Sequence, residues 1–324
     1  MKKRVLSLIL SLCLVAFLAP SSFAKAYKMG HIFQPTHSIN VALEQFAKNV
    51  NEATKGEIQF SILHSSVLGG DVEMLSQLVM GSLDGCALGG IGIFENFTPS
   101  AAIDEVPFLY PNSEAAHKAQ DGKFGALVAK TIIEPQNLQC LGYMENGFRN
   151  FTNNKRPVVK PEDMKGIKFR SAPVPLRVKM FQVLGADAVP MSFAELFTAL
   201  QQGTVDGQEN PLPMIEASKF YEVQKYLSLS GHIYTTVPLL INNRVWNSFT
   251  PEQQKIVREE ARKAIENQRK MAAEAEAKLR TELAQKGMVV NEIDKEAFIK
   301  AVQPVWEEYI KKNGRDLIDA AVNP

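Results

Sequence analysis

The sequence predicts an α/β protein of two lobes tied together by one long helix, and three observations carry that expectation. Tyr27 to Phe33 reads as a strand, Ser38 opens a helix, and Ile58 to Leu63 reads as a second strand. Such a strand–helix–strand unit favours parallel pairing through a right-handed crossover. Roughly 300 residues lie beyond a leader, more than one hydrophobic core usually fills. After Pro251 no helix breaker occurs until Gly287. A helix over that run would be about 55 Å long at 1.5 Å per residue, so it must bridge both lobes or bend.

The leader has three parts. Lys2, Lys3 and Arg4 precede an apolar run from Val5 to Leu18, and Ser22 and Ala24 supply small residues for cleavage. Together these read as a secretion signal over residues 1–24. The run is short for a membrane span, and Leu12 is too large for the residue before a lipoprotein cysteine at Cys13. An exported soluble protein is therefore expected. Taking those three cations from the 36 Lys and Arg residues leaves 33 against 35 Asp and Glu. So balanced a surface offers no electrostatic footprint for nucleic acid or anionic membrane. Cys86 and Cys140 could pair in an oxidising compartment, but their mainly apolar stretches read rather as two buried thiols.

Taken in order, the first helix shows Val41, Leu43, Phe46, Ala47 and Val50 as its apolar residues, and it ends near Gly56. A helix from Val72 to Met80 stops at Gly81. Asp84 to Ile93 reads as a strand whose glycines, Gly89 and Gly90 among them, allow close approach to the backbone. Helices follow from Asn112 to about Gln120 and from Gly122 through Glu134, then a strand from Leu138 to Tyr143. The chain is expected to cross into the second lobe over Glu145 to Thr152. Ile167 to Arg170 is a strand, Pro175 to Leu184 a helix, and Ala188 to Pro190 a short strand. Ser192 and Glu195 stand at capping-box spacing before a helix stopped by Gly203. Asp206-Gly207-Gln208-Glu209-Asn210-Pro211 reads as a polar turn. After a helix through Ile215 to Phe220 come strands at Tyr226–Leu229 and Ile233–Ile241, the second returning to the first lobe. Thr250-Pro251-Glu252 caps the long helix. Val289 to Ile293 and helices at 295–312 and 314–321 end the chain.

Catalytic signatures are missing. The sequence has no nucleophile elbow, zinc-protease helix or phosphate-binding loop, and Gly90-Ile91-Gly92 lacks the third glycine of a dinucleotide fingerprint. His31 and His37 are the only histidines even loosely spaced as metal ligands. No catalytic residue, cofactor or metal is expected. Recognition chemistry is better represented. Arg149 and Arg170 follow glycine-marked strand starts, and an arginine fork grips a carboxylate through two parallel bonds. With Asn210 and Glu209 they point to one small anionic solute.

Several motifs carry a resemblance. These are Asn146-Gly147-Phe148-Arg149 with Thr152-Asn153, Met164-Lys165-Gly166-Ile167-Lys168-Phe169-Arg170, and Pro190-Met191-Ser192-Phe193-Ala194-Glu195. Ala199 through Pro211 and Lys219-Phe220-Tyr221-Glu222-Val223 continue it. In that order they resemble the solute receptors of tripartite ATP-independent periplasmic (TRAP) transporters, DctP type, over nearly the whole mature chain.

The resemblance implies a two-lobed, periplasmic-binding-protein-like α/β fold with hinge strands and a long helix spanning both lobes. Residues 25–147 and about 236–276 would form one lobe, and about 148–235 with 277–324 the other. It implies a periplasmic, monomeric receptor that delivers a small carboxylate to the membrane permease subunits. Arg170 would grip the carboxylate, with Arg149 and Asn210 completing the contacts and Phe193 packing nearby. Asp71, Glu73, His31 and His37 would meet the rest of the solute, with Gly90 at the cleft and Glu209 orienting an arginine or meeting a hydroxyl. Gly89 and Gly90 stand where sialic-acid receptors carry an acid, so the match does not extend to that ligand. Several hydroxyl partners favour a sugar acid such as a uronate or aldonate, ahead of small hydroxy, keto or aromatic acids. A sensing module for a membrane kinase or chemoreceptor is the alternative.

Overall fold

The structure, a computed structural model, describes residues 25–324; the expected leader lies outside the described residues. Strand β1 (Lys25–His31), helix α1 (Ser38–Ala53) and strand β2 (Ile58–Leu63) form the opening unit. The strands pair in parallel, Lys25 opposite Ile58 and Gly30 opposite Leu63. Ile39, Leu43, Phe46 and Val50 recur on one side of α1, and that side is fully buried. Helix α2 (Asp71–Met80) ends at Gly81, whose φ of 77° suits a glycine C-cap.

Strand β3 (Gly85–Ala87) pairs with β1 but stops well short of the expected Ile93. Past Ala87 the backbone amides turn to carboxylates: Gly89 N donates to Asp71 Oδ1 (2.8 Å) and Ile91 N to Asp104 Oδ2 (3.1 Å). The 3₁₀ turns Ile91–Asn96 and Pro99–Glu105 replace the strand. Helices α3 (Ser113–Asp121) and α4 (Lys123–Val128) follow. The helix expected to continue to Glu134 passes into a π turn at Ala129–Ile133 and a 3₁₀ turn at Glu134–Gln136. Pro135, which has no N–H to donate, sits where the α-helical ladder fails.

The second lobe is entered through β4 (Leu138–Asn153), a single strand of 16 residues. Then come β5 (Lys168–Ser171), α5 (Pro175–Val183), β6 (Asp187–Pro190) and α6 (Phe193–Gln201). Next are β7 (Gly207–Pro211), α7 (Leu212–Ala217), β8 (Tyr226–Leu229) and β9 (Tyr234–Asn242). Helices α8 (Asn243–Trp246) and α9 (Pro251–Gln285), strand β10 (Val289–Glu292), and helices α10 (Lys295–Ala301), α11 (Gln303–Asn313) and α12 (Asp316–Val322) finish the chain.

Strand order is β2-β1-β3-β9-β4-β7-β5-β6, with β8 on β4 and β10 on β8. The first part of β4 lies antiparallel to β9, from Leu138 opposite Asn242 to Phe148 opposite Tyr234. Its last part pairs with β7, from Arg149 opposite Pro211 to Asn153 opposite Gly207. The register shifts between Glu145 and Gly147, where Gly147 has a φ of 108°. A bulge there bends the strand as it leaves one lobe for the other.

Helix α9 is the long helix that the sequence indicates: 35 residues, roughly 52 Å at 1.5 Å per residue. Its capping box is complete, with Gln253 N on Thr250 Oγ1 (3.2 Å) and Thr250 N on Gln253 Oε1 (2.8 Å). Val257, Ala261 and Ile265 enter the core around Phe46 and Leu43, while Leu279 and Leu283 enter a second cluster with Leu200, Leu212 and Phe220. The helix therefore bridges the lobes. Midway, Gln268 bonds both the N (2.9 Å) and the O (2.7 Å) of Glu145, pinning β4 beside its bulge.

Two further expectations give way. Helix α12 packs on α3 and α4, and α11 on the turn Pro99–Glu105 as well as on α5, so 303–322 do not lie wholly with the second lobe. Residues 207–211 are a buried strand, not a turn, because their polar side chains find partners within the sheet: Gln208 Nε2 donates to Thr152 Oγ1 (2.9 Å). Cys86 and Cys140 are both buried free thiols. Each lies opposite Leu240 on either side of β9. Two strand spacings, roughly 10 Å, separate them, beyond the reach of a disulfide.

Candidate functional site

Three arginines of the second lobe converge where β4, β5 and α5 face the first lobe. Arg149 is 2% exposed, Arg170 3% and Arg177 2%. A guanidinium stripped of water needs a partner of opposite charge. Arg149 finds one across the β4–β7 ladder: its Nε pairs with Glu209 Oε2, and Nη2 reaches Glu209 Oε1 (3.0 Å) and Asn210 Oδ1 (2.8 Å). Arg177 grips Glu105 of the first lobe through Nε–Oε2 (2.5 Å) and Nη2–Oε1 (2.7 Å), and its Nη1 lies 3.3 Å from Glu209. Burial alone would raise the Glu209 pKa, but Arg149 and then Arg177 overcome it and hold the carboxylate well below its ordinary range.

Arg170 is different. Its Nε donates to Met191 O (2.9 Å), and among the described residues no carboxylate oxygen lies within 4.0 Å of its guanidinium. Burial, the largest influence, pulls its pKa down to about 9. The guanidinium carbon sits 5.8 Å from the centre of the Phe193 ring. Two adjoining cavities share this arginine. The inner one is lined by Arg149, Arg177, Glu105, Asn146 and Asn210; the outer one by Asp71, Glu73, Ser192 and Glu195. Arg170, Phe193, Asp71, Ile93 and Ala172 belong to both.

Among the expected site residues, Arg149, Arg170, Asn210, Phe193, Asp71 and Gly90 all line the inner cavity. Glu73, in the first turn of α2 with Asp71, lines only the outer one. Glu209 lies behind the wall and pairs with both Arg149 and Arg177. Asn210 supports one of them, Arg149, from the cavity side: its Oδ1 accepts from Arg149 and its Nδ2 donates to Gln208. His31 and His37 are not among the side chains lining these cavities. Their Nδ1 atoms accept from Phe33 N (3.2 Å) and Ile39 N (3.3 Å), and their rings lie against Phe33. Burial lowers their pKa values to about 4 and about 3, so both are neutral.

Glycines shape the first-lobe wall as their density suggested. A Cβ on Gly89 would meet Asp71 Oδ2 at 2.9 Å, and one on Gly92 would meet Glu105 Oε1 at 2.3 Å. Ser192 does not cap α6; its hydroxyl instead crowds Gly70 of the first lobe, where a Cβ would lie 2.6 Å away. Arg177, Glu105 and Asn146 were missed as site residues. Arg177 shares a helix face with Met180 and Phe181, both buried, and a charge at that spacing was the available signal. No cluster of His, Cys, Asp and Glu suited to a metal occurs among the described residues, and none of their helices is long and apolar enough to cross a membrane.

The profile of bacterial extracellular solute-binding proteins, family 7 (DctP), matches residues 29–313. The 2,3-diketo-L-gulonate-binding periplasmic protein YiaO of Escherichia coli K12 is 35% identical over 311 residues, 95% of this chain and 94% of that protein. A TRAP periplasmic solute-binding protein from Polaromonas sp. JS666, bound to D-erythronate, superposes with a TM-score of 0.88 at 37% identity, covering 92% and 98% of the two chains. One from Sulfitobacter sp. NAS-14.1, with β-D-galacturonate, gives 0.89 at 33% identity, covering 93% and 100%.

Proposed function

The chain belongs to family 7 of the bacterial extracellular solute-binding proteins, and we propose that it captures a sugar acid in the periplasm and hands it to a TRAP membrane permease. One observation carries the reading. Arg170 is buried, faces a cavity between the lobes, and has no carboxylate among the described residues within 4.0 Å. A solute carboxylate would supply the missing charge through two parallel bonds. Arg149 and Arg177 are already neutralised by Glu209 and Glu105, so they form a rigid polar wall behind it.

Phe193 offers a ring against the carbon skeleton, and Asn146, Ser192, Asp71 and Glu73 offer partners for hydroxyls. The relatives that carry D-erythronate and β-D-galacturonate support a hydroxylated acid. Charge-assisted bonds contribute about 1.5–3 kcal/mol each. Two or three of them supply much of the roughly 8 kcal/mol that a micromolar constant represents.

A thermal-shift screen of uronates, aldonates, short hydroxy acids and neutral sugars, followed by calorimetry, tests this. The expected result is stabilisation by one or a few hydroxylated acids, with the ligand recovered chemically intact by mass spectrometry. Stabilisation by neutral sugars alone, or recovery of a converted product, would contradict it.

A further inference from the structure

The charges around Arg170 are distributed unevenly. In the inner cavity and its wall, Glu105 and Glu209 are ion-paired with Arg177 and Arg149, while Arg170 and Asp71 line the same cavity without an ion pair between them. Arg170 is thus the one guanidinium of the three with no carboxylate within 4.0 Å among the described residues. Asp71 also lines the next chamber outward, with Glu73 and Glu195 and no cation other than Arg170. Asp71 is held in place: its Oδ1 accepts from Gly89 N (2.8 Å), and Gly89 leaves room for Oδ2, which takes no hydrogen bond from the described residues.

We propose that the site selects monocarboxylates carrying hydroxyls, and that Asp71, with Glu73 and Glu195 beyond it, rejects a second carboxylate at the distal end of the solute. The inference rests on the reading that Arg170 holds the first carboxylate. Oδ2 of Asp71 accepts a hydroxyl of such a solute but repels an anion brought into a site shielded from water, where charges interact strongly. Burial raises the Asp71 pKa to about 6, so the carboxylate is mostly ionised at pH 8 and mostly neutral at pH 5. The charged groups facing it are Arg170, Arg177 and Glu73, and its backbone partner is Gly89. Rejection of a dianion should therefore relax as the pH falls through about 6.

Matched acids of equal carbon number provide the test: an aldonate ends in a hydroxymethyl group and its aldarate ends in a second carboxylate. Calorimetry of the whole mature protein with four- to six-carbon pairs should give the best aldonate at least tenfold tighter binding than its aldarate at pH 8. Asp71→Asn should narrow that ratio several-fold and remove its dependence on pH between 5 and 8. An aldarate that binds as tightly as its aldonate overturns the proposal, as does an unchanged ratio in Asp71→Asn. Tight aldarate binding that Lys219→Ala abolishes would put the distal end in the chamber on the other side of Phe193 and equally overturn it. If no acid of either charge binds, the Arg170 reading fails and takes the proposal with it.

Discussion

Arg177 and Glu105 meet face to face across the cleft, with Nε–Oε2 at 2.5 Å and Nη2–Oε1 at 2.7 Å, both side chains almost wholly buried. This pair ties α5 of the second lobe to the turn Pro99–Glu105 of the first. A second link lies beside it, where Leu176 N donates to Glu95 Oε2 (3.3 Å).

Breaking the pair from one side should be costly, because the partner is left as a buried charge. Arg177→Met and Glu105→Gln are each expected to lose about 3–5 kcal/mol in urea denaturation. The double replacement should lose clearly less than the sum of the two. Strictly additive losses would show that the two groups do not act as a pair.

Gly92 and Gly203 should respond to alanine for different reasons. At Gly92 the new methyl would lie 2.3 Å from Glu105 Oε1, so Gly92→Ala displaces Glu105 and should approach the loss seen in Glu105→Gln. Gly203 faces open space with a φ of +70°, so Gly203→Ala should lose only about 1–2 kcal/mol, the strain of a left-handed residue. Equal shifts in melting temperature for the two variants would contradict the clash assigned to Gly92.

Asp104 gives a pH signature. Burial first, and Glu105 second, push its carboxyl from 3.8 up to about 7. A folded-state pKa raised in this way contributes stability that is whole below the unfolded value and lost as the pH rises through about 7. Asp104→Asn keeps an acceptor for Ile91 N but has no charge to bury. Its melting temperature, measured against wild type, should therefore rise from pH 5 to pH 8. A difference that stays flat or falls would be inconsistent with a buried ionisable group.

Much of this architecture was legible where local chemistry decides it. Thr250, Pro251 and the breaker-free run to Gly287 announce α9, and the glycines from Gly85 to Gly92 announce close approach to the backbone. The strand β7 was misread because Gln208, Glu209 and Asn210 are polar, and it takes their partners on β4, with Arg177 on α5 for Glu209, to allow such a sequence to be buried. Glu105 and Arg177 are 72 positions apart, and nothing local to either indicates the other. Ser192 has the spacing of a capping box, yet its position against Gly70 is set by the meeting of two lobes. Arg149 and Arg170 were singled out through the motifs around them; that Arg149 is already paired and Arg170 is not is a property of three-dimensional contacts.

Arg170→Met tests the account most directly, through binding calorimetry and thermal melting of one preparation. With no ion-pair partner within 4.0 Å among the described residues, its guanidinium is a buried charge that does not favour folding. The variant without ligand should melt at or above the wild-type temperature while showing no detectable binding of the acid that wild type holds. Arg170→Lys should bind at least tenfold more weakly than wild type, since an ammonium cannot reproduce the planar fork. Wild-type affinity in Arg170→Met would contradict the central claim.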